Sequence, residues 1–187
     1  MSTATSWITS QVQIIQNLSL VVAPVEKLIT GAAYLIGLAF IFKAVFSLKS
    51  YGEAKTMSSS NHSIKEPLAY FVAGTMLLYF PTALSTLLLS TFGESNVMAY
   101  GPINGSSDSL NSLFGSGSAV GEPLCMLIQV IGMVAFVRGW ILIARSASTG
   151  QPPGGTGKGM MHVFGGILAI NIVGTITMLN NTLFGGS

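Results

Sequence analysis

Charge is what this sequence has least of. Of 187 residues, eight are Lys or Arg and six are Asp or Glu, 7% in all, against about 25% in an average soluble domain. A soluble chain of this length needs a polar coat, and so few charges cannot supply one. Disorder is excluded as well, because it requires low hydrophobicity and high charge. The one cysteine, Cys125, excludes an internal disulfide and a cysteine-based zinc site. His62 and His162, the only histidines, have no thiolate or carboxylate cluster beside them and make a poor metal site. A net charge of +2 lacks the basic stripe of a nucleic-acid binder, so no direct contact with nucleic acid is expected. Gly-x-Ser-x-Gly, the elbow of a serine hydrolase, is absent. The stretch from Gln151 to Gly159 has the look of a phosphate loop but fails in detail. Pro152 stands where the first glycine is needed, and Gly159 follows Lys158 where Ser or Thr is required. It is expected to be a flexible basic loop. No catalytic residue, cofactor or metal is expected.

Apolar residues are abundant: the chain is 50% hydrophobic and its mean hydropathy is +0.65. A hydrocarbon core about 30 Å thick takes about 20 apolar residues of helix. Four stretches reach that length: Leu28–Leu48, Pro67–Phe92, Pro123–Ala144 and His162–Phe184. They lack the polar face of a helix on a soluble bundle. Pro67 and Pro123 each follow a glutamate, which suits a first helical turn. Gly93 and Gly185 each follow Phe and read as stops. Pro81 is expected to kink the second span, with Thr82 and Ser85 near enough to satisfy a freed carbonyl. Ahead of the spans, Trp7, Ile8, Val12, Ile15, Leu18 and Val22 recur near helical spacing. They predict an amphipathic helix along the membrane face, ending near Pro24.

The two halves read as copies. Ile36-Gly37 matches Ile131-Gly132, and Lys43-Ala44 matches Arg138-Gly139 at the same offset. Gly74 matches Gly166, and Phe92-Gly93 matches Phe184-Gly185 at another constant offset. The predicted fold class is therefore an all-α integral membrane protein with four transmembrane helices as two parallel-repeat hairpins, plus the N-terminal amphipathic helix. The organisation is residues 1–27 amphipathic, 28–92 first hairpin, 93–122 a Gly/Ser-rich outer loop, and 123–187 second hairpin. Lys49, Lys55 and Lys65 mark one hairpin loop and Arg145 and Lys158 the other, whereas 93–122 carries no Lys or Arg. The positive-inside rule puts both loops in the cytoplasm and both chain ends outside.

Two groups of residues stand out. Lys43 and Arg138 lie a turn or two inside the cytoplasmic boundary. They are expected to be membrane-interface cations that snorkel to the headgroups, with an ion path or an acidic partner as the alternative. The last span is the most polar. Gly165, Gly166 and Gly174 allow close helix approach, and Asn171 and Thr175 offer hydrogen bonds on one stripe, so these five are expected to form a helix-packing face. A polar pore lining is the other reading.

The run from His162 through Gly165-Gly166 and Asn171 to Thr175 resembles the signature of small inner-membrane proteins of Dot/Icm-type (type IVB) secretion. It is most similar to the IcmC/DotE family and its conjugative relative TraQ. The basic loop with Pro152-Pro153-Gly154 before it also fits. The resemblance is most specific over 150–184. It implies a structural or assembly subunit of a machine that moves effector proteins or DNA between cells. The implied partners are other secretion-system membrane subunits and membrane lipid, with a homo-oligomer as a further expectation, and there are no catalytic residues to carry over. Each half also resembles the layout of a conjugative pilin, so a filament subunit is the leading rival, and a small channel or transporter is the third reading.

Overall fold

The structure is a computed structural model. It describes residues 13, 14, 17, 20–56, 63–93, 95, 121–148 and 154–184. Most of the expected amphipathic segment before Val21 and most of the Gly/Ser-rich outer loop therefore lie outside the described residues. Every regular element described is a helix: α1 Val22–Thr56, α2 Lys65–Leu78, α3 Phe80–Phe92, α4 Gly121–Ser146, α5 Gly155–Ile170 and α6 Ile172–Phe184.

Two helices, α1 and α4, are long and apolar enough to cross a membrane. At 1.5 Å per residue, the 35 residues of α1 run to about 50 Å, well beyond a hydrocarbon core. Pro24 sits in the first turn of α1, where a missing N–H costs nothing.

The other two apolar stretches are not straight spans. The helix expected over Pro67–Phe92 breaks at Tyr79, and α2 and α3 meet at 88°. The one expected over His162–Phe184 starts earlier, at Gly155, and breaks at Asn171, where α5 and α6 meet at 92°. Among the described residues there are thus two helices long and apolar enough to span, or four spans if each bent pair counts as one. Pro81 explains the first break, because it cannot donate to the carbonyl four residues back. The kink falls two residues before it, and the bend is far sharper than a simple proline kink. Ser85 bonds the Thr82 carbonyl within α3 and is not spent on the break. Gly93 stops α3 as expected, with φ 77° and its N–H on the Leu89 carbonyl. The region of Lys158 is no flexible loop but the first turns of α5.

α1 packs antiparallel on α2, and α4 on α5. The core between the two hairpins is apolar: Phe80, Phe136, Leu77, Leu88 and Ile170 are fully buried. The bend at Tyr79 turns the Phe80–Leu84–Leu88 face of α3 onto the second hairpin, where the Phe80 and Phe136 rings lie 5.9 Å apart. The bend at Asn171 lays Ile172, Val173 and Ile176 of α6 against Cys125. Outside this core the helices present large apolar side chains, among them Leu28, Leu35, Phe42, Ile131 and Val134, each at least half exposed. On a soluble surface such a coat is a liability; against lipid it is the required solvent-facing chemistry.

Candidate functional site

Glycine sets how closely each hairpin closes. A Cβ on Gly37 would stand 2.9 Å from the Gly74 carbonyl oxygen, and one on Gly74 3.1 Å from that of Gly37. In the second hairpin a Cβ on Gly132 would stand 2.8 Å from the Gly166 carbonyl oxygen, and one on Gly166 2.8 Å from that of Gly132. The matched glycines of the two halves thus do the same work: each pair lets two helix backbones touch. The second hairpin has another such crossing, where a Cβ on Gly139 would meet the Gly159 carbonyl oxygen at 2.8 Å. Glycine disfavours helix by about 1 kcal/mol relative to alanine, so the glycine-rich start of α5 depends on these contacts.

Of the five residues expected to form a packing face in the last span, only Gly166 lies in a helix–helix crossing. Gly165 points into open space, with nothing within 4 Å of its Cβ position. Asn171, Gly174 and Thr175 serve the bend instead of a neighbouring helix. The Gly174 N–H donates to Asn171 Oδ1 at 2.9 Å, so Asn171 caps the new helix. A Cβ on Gly174 would run into that same Asn171 side chain at 2.8 Å. The Thr175 hydroxyl lies 2.8 Å from the Leu168 carbonyl and 2.9 Å from that of Asn171. In an unbroken helix the Leu168 carbonyl would accept from the N–H of Ile172. At the bend the Thr175 hydroxyl replaces that donor, as a freed carbonyl in an apolar setting requires.

The cations also part company. Arg138 is exposed. Lys43 is not merely snorkelling, because it closes a ring of four side chains. Its Nζ donates to the Tyr70 hydroxyl at 2.7 Å and lies 4.0 Å from the centre of that ring. The Tyr70 and Ser148 hydroxyls are 3.1 Å apart. Ser148 Oγ donates to Glu66 Oε1 at 3.0 Å, and Glu66 Oε1 faces Lys43 Nζ at 3.9 Å. One proton arrangement satisfies the whole ring: Lys43 to Tyr70, Tyr70 to Ser148, Ser148 to Glu66, and the two charges opposed. Tyr70 is buried, held edge-on by the Phe40 ring at 5.2 Å and by Ala73 and Ala144.

This ring ties the hairpins together, since Lys43, Glu66 and Tyr70 come from the first and Ser148 follows α4. It also fixes the two turns at the same end of the molecule. Lys43, Lys49, Lys55, Lys65, Arg138, Arg145 and Lys158, seven of the eight basic residues, therefore lie toward that end. Tyr70, Glu66 and Ser148 were missed from sequence, yet a signal was there. Once Gly37 is set opposite Gly74, counting toward the turn brings Lys43 level with the first turns of α2. Three or more His, Cys, Asp or Glu side chains able to hold a metal occur nowhere among the described residues.

The described residues define a helical membrane protein of two glycine-closed hairpins, each ending in a sharply bent helix, joined at one end by an ionic ring. Comparison with family models, with curated proteins and with solved structures finds no match.

Proposed function

We propose that the chain is a structural or assembly subunit of a type IVB (Dot/Icm-like) secretion or conjugation apparatus in a bacterial inner membrane, with a non-enzymatic role. In this reading both hairpin turns are cytoplasmic, both ends face the periplasm, and the partners are other membrane subunits of the machine. One observation supports it above the rest. The residues that carry the resemblance, Gly166, Asn171 and Thr175, are the ones that close the second hairpin and shape its bend. A signature spent on backbone architecture suits a part that is held in an assembly by its shape. The clustering of basic residues at the turn end suits a cytoplasmic placement of the turns.

The test has two arms. Reporter fusions at Ser59 and Pro153 are expected to read cytoplasmic, and one at Ser107 periplasmic. An active periplasmic phosphatase at Ser59 would overturn the topology. Deletion of the chain is expected to stop effector or plasmid transfer, and mild-detergent purification is expected to bring down membrane subunits of the same machine. Recovery of the chain in a sheared extracellular filament fraction would replace this reading with the pilin-like one. Ion conduction by the chain reconstituted alone would replace it with a channel.

A further inference from the structure

The two hairpins differ at one matched level, and the difference opens a groove. In the second hairpin Gly139 and Gly159 bring α4 and α5 into backbone contact. The matching positions in the first hairpin are Ala44 and Pro67, both buried, and their side chains hold α1 and α2 apart. The result is an apolar groove of about 300 Å³ walled by Val45 and Leu48 on α1, by Leu68 and Phe71 on α2 and by Ile64 just before α2. Lys49 and Lys65 directly follow the wall residues Leu48 and Ile64 and are exposed at its turn end. Glu66, the nearest acid on α2, is committed to the ring with Lys43 and Ser148. Lys49 is offset by Glu53 at 3.7 Å, whereas Lys65 has no ion pair among the described residues. The amino end of α2, where Ile64 makes no side-chain cap and the Ser63 hydroxyl accepts from the Lys65 N–H at 3.3 Å, adds the positive end of a helix dipole at the same mouth.

The geometry points to a site for one anionic phospholipid, with an acyl chain in the groove and its phosphate at Lys65 and the start of α2. An apolar slot that ends in an unneutralised cation, at the depth where headgroups begin, complements such a lipid in both shape and charge. The inference requires an embedded chain but not the secretion role, so the two stand or fall separately.

The full chain, purified in detergent and stripped of lipid, is offered phosphatidylglycerol or phosphatidylcholine, and retained lipid is counted by native mass spectrometry. One lysine at a membrane surface is worth about a fivefold preference, so phosphatidylglycerol is expected to be retained about fivefold better. Lys65→Glu is expected to abolish the preference. Leu68→Trp, at an exposed wall position, is expected to fill the groove and lower retention of both lipids with helicity unchanged. Equal retention of the two lipids by the parent chain would overturn the inference, as would undiminished retention in Leu68→Trp. A dimer that retains no lipid and dissociates in Leu68→Trp would also overturn it, by assigning the groove to a second copy.

Discussion

Gly165 and Gly166 are neighbours in one helix, and replacing each by alanine should move stability in opposite directions. Alanine gains about 1 kcal/mol over glycine in intrinsic helix propensity at either position. At Gly165 nothing stands within 4 Å of the new methyl, so Gly165→Ala should stabilise by about 0.4–1 kcal/mol. At Gly166 the methyl would lie 2.8 Å from the Gly132 carbonyl oxygen, 2.8 Å from the Phe136 nitrogen and 3.1 Å from the Phe136 Cα. All three are backbone atoms of a helix that cannot rotate aside, so α4 and α5 must separate. Overpacking of that kind costs about 1–3 kcal/mol, which outweighs the propensity gain. Gly166→Ala should therefore destabilise by up to about 2 kcal/mol net, and Gly166→Leu by more. Reversible unfolding in mixed micelles, followed by circular dichroism, gives both values on one scale. If Gly166→Ala proved as stable as Gly165→Ala, the two helix backbones would not be in contact and the glycine-closed hairpin would have to be abandoned.

Other perturbations separate the bend from the ring. Asn171→Ala removes the cap on the Gly174 N–H and should cost about 0.5–2 kcal/mol. Because Gly166 holds two helices and Asn171 only one turn, loss of native complex size should be greater in Gly166→Leu than in Asn171→Ala, as read by native electrophoresis. Tyr70→Phe keeps the ring stacking but deletes the hydroxyl between Lys43 and Ser148. It should cost about 1–3 kcal/mol, and a Tyr70→Phe/Ser148→Ala double mutant should cost less than the sum of the singles; strict additivity would show that the four side chains do not act as a unit. Arg138→Lys should leave stability unchanged, whereas Lys43→Met, which leaves Glu66 without its cation, should lower it measurably in the same micelle assay.

Composition and hydropathy located the apolar segments, because a membrane imposes length and apolarity on any helix that crosses it. Gly93 was legible as a stop, since a left-handed residue there must be glycine. The bends were only half legible. Pro81 announced one within two residues of its place, because proline removes a backbone donor whatever surrounds it. Nothing local announced the other. In an apolar helix Asn171 reads equally well as a donor to a neighbouring helix or as a cap on its own, and only the path of the chain decides. The ring was hidden for a similar reason. Lys43 looked solitary because its partners lie 23 to 105 residues further along the chain, and Ser148 carries no charge to betray it. Gly165 stays out of the Gly132–Gly166 crossing because adjacent glycines point about 100° apart on a helix, so a Gly-Gly pair can offer only one of its members to a given neighbour.

The repeat shows what this fold needs and what each half is free to change. Both halves have a glycine crossing and, at one constant offset, a sharp bend, at Tyr79 in the first and Asn171 in the second. A bend in an apolar setting exposes backbone donors and acceptors that need partners, and the halves differ in chemistry there. The first deletes a donor with Pro81. The second supplies an acceptor for the Gly174 N–H and a donor for the Leu168 carbonyl, from Asn171 and Thr175. At the turn end they diverge further. Glu66 and Tyr70 give Lys43 a counter-charge and a hydroxyl, but the positions matched to them in the second half hold Lys158 and His162 beside Arg138, with no acid. The second hairpin is closed along its length by two glycine crossings, whereas the first is opened by Ala44 and Pro67 and polarised by the ring. Divergence has left the shared backbone intact and concentrated polar chemistry and open apolar surface in the first hairpin, so substitutions there should alter contacts with lipid or partners while substitutions at the second crossing should alter the fold itself.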